Sequence, residues 1–293
     1  MHCKTAARLG LLAAVTTFSL LSAGAAGADV ASKVEGESLL AADPANARAY
    51  QDYAAFYFAA GNPVAAASIL ERGKVRADVT ADLLVDLGRA YQLQKKWTKA
   101  ETATREALVM DAGHAGAHVQ LGEIYLAMGW ARSGLDSFRR AVALAPGDPL
   151  PMVRLVRGLC DNGQVAEAEE TCLQFIAEGA EHAGLWLALG QVFEKQGKHR
   201  EAFTTYGQAL TLDPTSSTAW ARQGKLFCEF GQFDAAAQSC RRALELNPDD
   251  ALAHGYLGIA LSHLGDGEGA REHAQIAEAA GLNMTAVWRE LGR

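Results

Sequence analysis

The residues of this 293-residue chain best suited to chemistry come in duplicate. Cys160 and Cys172 are followed 68 positions later by Cys228 and Cys240, and Arg154 and Arg157 by Arg222 and Lys225. Paired thiols in an exported protein could form disulfides, and two cations on one helix face could hold an anion. The histidines are less promising. His114 and His118 are four apart and His254 and His263 nine apart, with no cysteine or carboxylate completing either set at ligand spacing. The chain has no Gly-rich phosphate loop, Gly-x-Ser-x-Gly elbow or zinc-protease signature. No catalytic residue, metal ligand or cofactor site is therefore assigned, and an enzyme is not expected.

The offset of 68 is twice a 34-residue period that sets the whole chain. Ala183–Ser216 and Ser217–Asp250 align without a gap: Trp186 on Trp220, Gly190 on Gly224, Gly197 on Gly231, Ala202 on Ala236 and Pro214 on Pro248. The same ruler runs over 47–284 as seven repeats: 47–80, 81–114, 115–148, 149–182, 183–216, 217–250 and 251–284. Such self-similarity implies a stacked solenoid in which each repeat touches its neighbours. Position fifteen is Gly61, Gly129, Gly163, Gly197, Gly231 or Gly265, with Lys95 the exception, which suits a left-handed residue ending a helix. Position eight is Gly88, Gly122, Gly190, Gly224 or Gly258 in five repeats. A glycine inside a helix costs about 1 kcal/mol relative to alanine, so close approach of a second helix is the expected compensation. Position twenty is equally small, from Ala66 to Ala270, so each repeat reads as an antiparallel helix hairpin. That geometry separates Cys160 from Cys172 by an axial stagger of about 9 Å at ~1.5 Å per residue, beyond disulfide reach. The four cysteines are expected to be small buried hydrophobes.

These positions make the chain similar to the tetratricopeptide repeat, whose 34-residue signature runs through Trp, Leu, Gly, Tyr, Ala, Phe, Ala and Pro. Repeats five and six match at nearly every position, and repeat three matches through Leu121, Gly122, Tyr125, Phe138, Ala141 and Pro146. Repeat four departs most, with Val156 for the inner glycine, Phe175 for the alanine at position twenty-seven and Pro149-Leu150-Pro151 at its start, which puts its helix spacing in doubt. The resemblance implies an all-α, right-handed α-solenoid of about seven helix-turn-helix repeats with terminal capping helices. It also implies that first helices line a concave groove read by positions two, five, six, nine, twelve and thirteen. Those positions hold Arg48, Asp52, Asp82, Asp86, Arg89 and Glu123 in repeats one to three. In repeats four to six they hold Arg154, Arg157, Asp161, Glu194, Lys195, Arg222, Lys225 and Glu229. Arg154, Arg157, Arg222 and Lys225, all at positions six and nine, are the candidate partner-binding residues. Two repeats separate the pairs, about 20 Å at ~8–10 Å per packed helix, a gap that suits an extended acidic peptide and not a small anion. The asparagines of the chaperone-tail clamp known in this family are missing from positions six and nine.

The ends carry their own signals. Lys4 and Arg8, the apolar run Leu9–Leu21 and the small residues Ser22–Ala28 read as a signal peptide over 1–28, cut after Ala26-Gly27-Ala28. Cleavage would take the net charge from −7 to −9, and such an acidic chain is not a nucleic-acid binder. An N-terminal half-repeat helix is expected in 29–46, with Leu39 at its buried position twenty-seven, and a C-terminal capping helix in 285–293 through Met284, Val287, Trp288 and Leu291. The reading is a non-enzymatic protein- or peptide-binding scaffold or assembly factor, exported and periplasmic, with no membrane span after cleavage. An uncleaved, inner-membrane-anchored signal is the alternative location. The rival functions are a ligand-binding accessory of an envelope polysaccharide or cofactor-assembly pathway, and self-assembly of the repeats.

Overall fold

The computed structural model of the protein describes residues 25–290, so the expected signal peptide lies outside the described residues except for its last four. Sixteen helices and no strand are found among the described residues. The first helices of the seven repeats are α2 (Ala47–Ala59), α4 (Ala81–Leu93), α6 (Ala115–Ala127), α8 (Pro149–Asp161), α10 (Ala183–Lys195), α12 (Ser217–Glu229) and α14 (Ala251–His263). Their starts are 34 residues apart. The second helices are α3 (Pro63–Arg76), α5 (Trp97–Met110), α7 (Ala131–Leu144), α9 (Val165–Ala177), α11 (His199–Leu212), α13 (Phe233–Leu246) and α15 (Gly267–Ala279). Helices α1 (Ala25–Ala42) and α16 (Thr285–Glu290) flank them. The fold is the all-α, solenoid-type stacking of helix hairpins. The chain divides into two compact parts, one ending at Ala103 and one beginning at Thr104.

Local chemistry sets where each first helix begins. Asn46, Thr80, His114, Asp148, His182, Ser216 and Asp250, the residues just before the seven first helices, each accept a backbone N–H from the opening turn. Side-chain caps of this kind are worth about 1 kcal/mol each. Two are histidines: His114 Nδ1 accepts from Ala117 N–H at 3.1 Å and His182 Nδ1 from Gly184 N–H at 3.0 Å. The hairpin turn is equally regular. Position fifteen has positive φ in all seven repeats, from +67° to +85° in the six glycines and +58° in Lys95. Lys95 keeps the turn but carries the strain that glycine avoids.

The core of each hairpin is built where position eight meets position twenty-four. Gly122 lies under the Phe138 ring, Gly190 under Tyr206 and Gly224 under the Cys240 thiol. A methyl group at Gly190 would sit inside the Tyr206 ring, so the helical glycine is required by volume. Repeat four reverses the arrangement: Val156 and Cys172 are both fully buried, with the larger residue on the first helix and the smaller on the second. Its helices α8 and α9 lie less closely together than those of repeats three and five to seven, as Val156 and Phe175 predict. The looser hairpin is filled by an apolar cluster that takes in Val156, Leu159, Phe175, Leu185 and Val192, with Trp186 and Phe193 packed against it. Cys160, Cys172 and Cys240 are buried and Cys228 half-buried, and none is in a disulfide. Burial pushes the Cys172 and Cys228 thiols up to about 12, which keeps them protonated and unreactive at neutral pH.

The flanking helices cover adjacent apolar faces. On α1 the expected burial of Leu39 is corrected: Leu39 is 38% exposed, whereas Leu40 is 4% exposed. The reason is Gly36, one turn before Leu40, where the Tyr53 ring fills the space that a side chain would take. That contact turns the helix about one residue from the repeat's phase. At the other end α16 packs on α14 and α15, burying Met284 and Val287, with Trp288 partly buried beside them. Trp288 is thus part of the last repeat's core.

Replacing Lys95 by glycine should stabilise the protein by about 1 kcal/mol, the usual cost of a left-handed side chain. In thermal unfolding the melting temperature should rise by about 2–4 °C, whereas Gly129→Lys should lower it; an unchanged midpoint for Lys95→Gly would show that the turn holds no strain.

Candidate binding site on the first helices

Helical periodicity aligns the polar residues of α8, α10 and α12. On α8, Arg157, Cys160 and Asp161 share a face at spacings of three and four; on α10, Ala188, Gln191, Glu194 and Lys195 do the same. Together with Arg222 from α12, these residues line a pocket of about 190 Å³. Arg157 and Arg222, expected to lie too far apart for one small anion, both line this pocket. The expectation counted helix axes, but both side chains have long flexible stems that carry their guanidinium groups well away from the backbone.

The four candidate cations differ in what neutralises them. Arg154 Nε lies 2.9 Å from Glu123 Oε1. Arg222 Nη1 and Lys225 Nζ both donate to Glu194 Oε2 at 3.0 Å, and Lys225 Nζ is also 3.6 Å from Glu229 Oε1. Glu229 in turn meets His199 Nδ1 at 2.5 Å. Glu194 is the hub of this network. Its side chain is only 8% exposed, and it lies beside the fully buried Tyr206 hydroxyl. Burial opposes the charge on Lys225, but the hydrogen bond and field of Glu194 outweigh it and hold the ammonium above its usual value. Lys195 donates to the Cys160 carbonyl at 3.0 Å and to Asp161 Oδ1 at 3.2 Å. Arg157 has no ion-pair partner among the described residues. Burial, then the positive charges of Arg154 and Arg222, hold its guanidinium below its ordinary value.

Sequence reasoning placed Glu194 and Lys195 in the groove without marking them as site residues, and it passed over Gln191 and Tyr206. Position twelve of repeat five, facing positions six and nine of repeat six, was the available signal for Glu194. In the first part of the chain the groove positions are occupied differently. Arg48 pairs with Asp52 on its own helix at 2.9 Å, Gln51 donates to Asp86 at 2.8 Å, and Arg89 stacks over the Phe58 ring at 4.7 Å. Burial raises the Asp86 carboxyl above the usual range.

The histidines serve separate local roles. His114 and His182 are caps, and His263 stacks on Phe233 at 3.9 Å. The buried His254 instead faces His273, Nδ1 to Nδ1 at 2.9 Å, while its Nε2 lies 2.8 Å from the Pro248 carbonyl. A carbonyl only accepts, so Nε2 of His254 carries hydrogen, and in the neutral pair His273 donates from Nδ1. Burial, then His254, lower the pKa of His273. Among the described residues no group of three or more His, Cys, Asp or Glu is arranged to hold a metal ion, and no helix is long and apolar enough to cross a membrane.

Stacked helix hairpins with first helices forming a shared polar face are the architecture of helical-repeat proteins. Three stretches match models of the tetratricopeptide repeat: 115–148, 183–226 and 222–282. In these stretches the chain therefore carries tetratricopeptide repeats. It is 29% identical over 174 residues to the human protein O-mannosyl-transferase TMTC1, covering 58% of this chain and 20% of that protein. It is 26% identical over 237 residues to the mouse superkiller complex protein 3, covering 77% of this chain and 15% of that one. The chain thus spans a fifth or less of the length of these two relatives. Among solved structures it resembles yeast Tom70, with a TM-score of 0.72, 13% identity and coverage of 90% of this chain and 57% of that one. Cut9 in the APC/C Cut9–Hcn1 hetero-tetramer gives 0.66 and 20%, covering 88% and 51%. At those identities the structures establish the fold alone.

Two outcomes follow from the site's geometry. Glu194→Ala strands Arg222, leaves Lys225 with only its longer contact to Glu229, and should cost about 2 kcal/mol in denaturant unfolding, the usual loss for buried hydrogen bonds to charge; a change within error would show that the network contributes nothing. For His273, the folded state resists a proton that the unfolded chain takes up near pH 6.5. Its stabilisation is complete above that pH and lost as pH falls, so the urea midpoint should drop between pH 7.5 and 5.5. The drop should be smaller in His273→Gln, and equal drops in both proteins would refute the assignment.

Proposed function

We propose that this chain is a non-enzymatic protein-binding scaffold of the cell envelope, which holds an extended acidic segment of its partner against the first helices of repeats four to six. The observation that carries the reading is the shared face of α8, α10 and α12, where Arg154, Arg157, Arg222 and Lys225 fall among half-buried side chains. Tetratricopeptide repeats are protein-interaction scaffolds, and the matches to their models support that class of activity. Electrostatic complementarity then favours an acidic segment over a basic one. The envelope location rests on Lys4, Arg8, Leu9–Leu21 and Ala26-Gly27-Ala28, which have the order of a secretory signal.

A second reading, a ligand-binding accessory role, is favoured by the 190 Å³ pocket, a volume that suits a small polar molecule better than a peptide. Capture from an envelope fraction separates the two. With the full chain as bait, a specific protein should be retained. The double substitution Arg157→Glu with Arg222→Glu should reduce that retention at least tenfold. Retention unaffected by the double substitution would remove this face as the partner site, and a ligand-induced melting shift without any retained protein would favour the accessory role.

A further inference from the structure

The pocket between α8, α10 and α12 has a property that a general basic face does not require. One of its arginines, Arg157, buries its Nε–H without a hydrogen-bond partner and has no ion pair among the described residues, whereas Arg222, its Nε also buried, already donates to Glu194 and lies against the Tyr206 hydroxyl. A buried donor left unmatched is costly, and this one belongs to a side chain that lines the cavity. Other arginines differ from Arg157: Arg139, Arg154, Arg222 and Arg242 each reach a carboxylate at 2.6–3.0 Å. The charge balance points the same way. Three cations, Arg157, Lys195 and Arg222, line the pocket against two carboxylates, Asp161 and Glu194. Those carboxylates are already engaged, Asp161 by Lys195 and Glu194 by Arg222 and Lys225. The excess positive charge is Arg157, half-buried and facing the fields of Arg154 and Arg222.

We infer that this pocket is a receptor for one compact oxyanion, a carboxylate or phosphoryl group, bound between the Arg157 and Arg222 guanidinium groups. A planar guanidinium offers parallel N–H donors that match two oxygens of such a group. The volume of about 190 Å³ admits the anion with its immediate substituent and excludes a folded element. Arg154 and Lys225 lie outside the lining and serve the surrounding ion pairs. Only the carrier of the anion rests on the scaffold reading: a partner segment under that reading, a free small molecule otherwise.

The test uses the full chain and needs no partner protein. Inorganic phosphate is titrated by calorimetry and by the NMR resonances of arginine Nε–H groups, with an end-capped hexaglutamate peptide in a parallel arm. Saturable phosphate binding should shift the Arg157 and Arg222 Nε–H signals. Arg157→Gln should weaken binding at least tenfold, and Arg242→Gln should leave it unchanged. Arg157→Lys, which keeps the charge but not the fork, provides the comparison should Arg157→Gln fail to fold, and it too should bind more weakly. Peptide that displaces phosphate in an Arg157-dependent way identifies a segment-borne group; phosphate binding without such competition identifies a free anion. Absence of saturable binding in both arms, or equal binding by folded Arg157 variants and the unaltered protein, would overturn the inference. Either result is independent of whether an envelope partner is captured.

Discussion

The interaction on which each repeat depends is the contact between position eight of its first helix and position twenty-four of its second. Where the second helix offers Phe138, Tyr206 or the Cys240 thiol, the first must offer glycine, because the backbone there is the surface being packed. The glycines weaken their own helices by about 1 kcal/mol each, and burial of a large ring against bare backbone outweighs that cost. Repeat four shows that the rule concerns combined volume and not glycine itself. With Val156 on one helix and Cys172 on the other, both side chains are still fully buried, and the hairpin is more open.

This seam also places the polar network. Tyr206 is locked over Gly190, so its hydroxyl is fixed at depth beside Glu194, one turn further along α10. Glu194 is thereby confined where α12 presents Arg222 and Lys225, and one carboxylate serves two cations. A packing contact in repeat five thus decides which charges in repeat six are neutralised. Arg157 is left over because Asp161, one turn along its own helix, is taken by Lys195.

The regular features were legible because they depend on local rules. The turn at position fifteen needs a left-handed residue, and glycine marks it in the sequence; the one exception, Lys95, adopts the same conformation. The helix starts follow local rules too, through side-chain caps of common type, except that His114 and His182 use imidazole, an uncommon choice there. The flanking helix α1 was misread by one residue: periodicity pointed to Leu39, but Gly36 under Tyr53 turned Leu40 inward. A phase carried over from the repeats fails where the neighbouring surface differs.

The sequence alone determined the period, the hairpin in each repeat, the burial of Cys160, Cys172 and Cys240 and the set of cations on the first-helix positions. All of these follow from residue type at fixed spacing, which the helix converts directly into a face. Tertiary structure alone decided which of those cations remain without a carboxylate, and that Arg157 and Arg222 both line one pocket. Ion pairing and side-chain reach between helices depend on distances of a few ångströms, and a 34-residue ruler specifies position along the chain but not those distances.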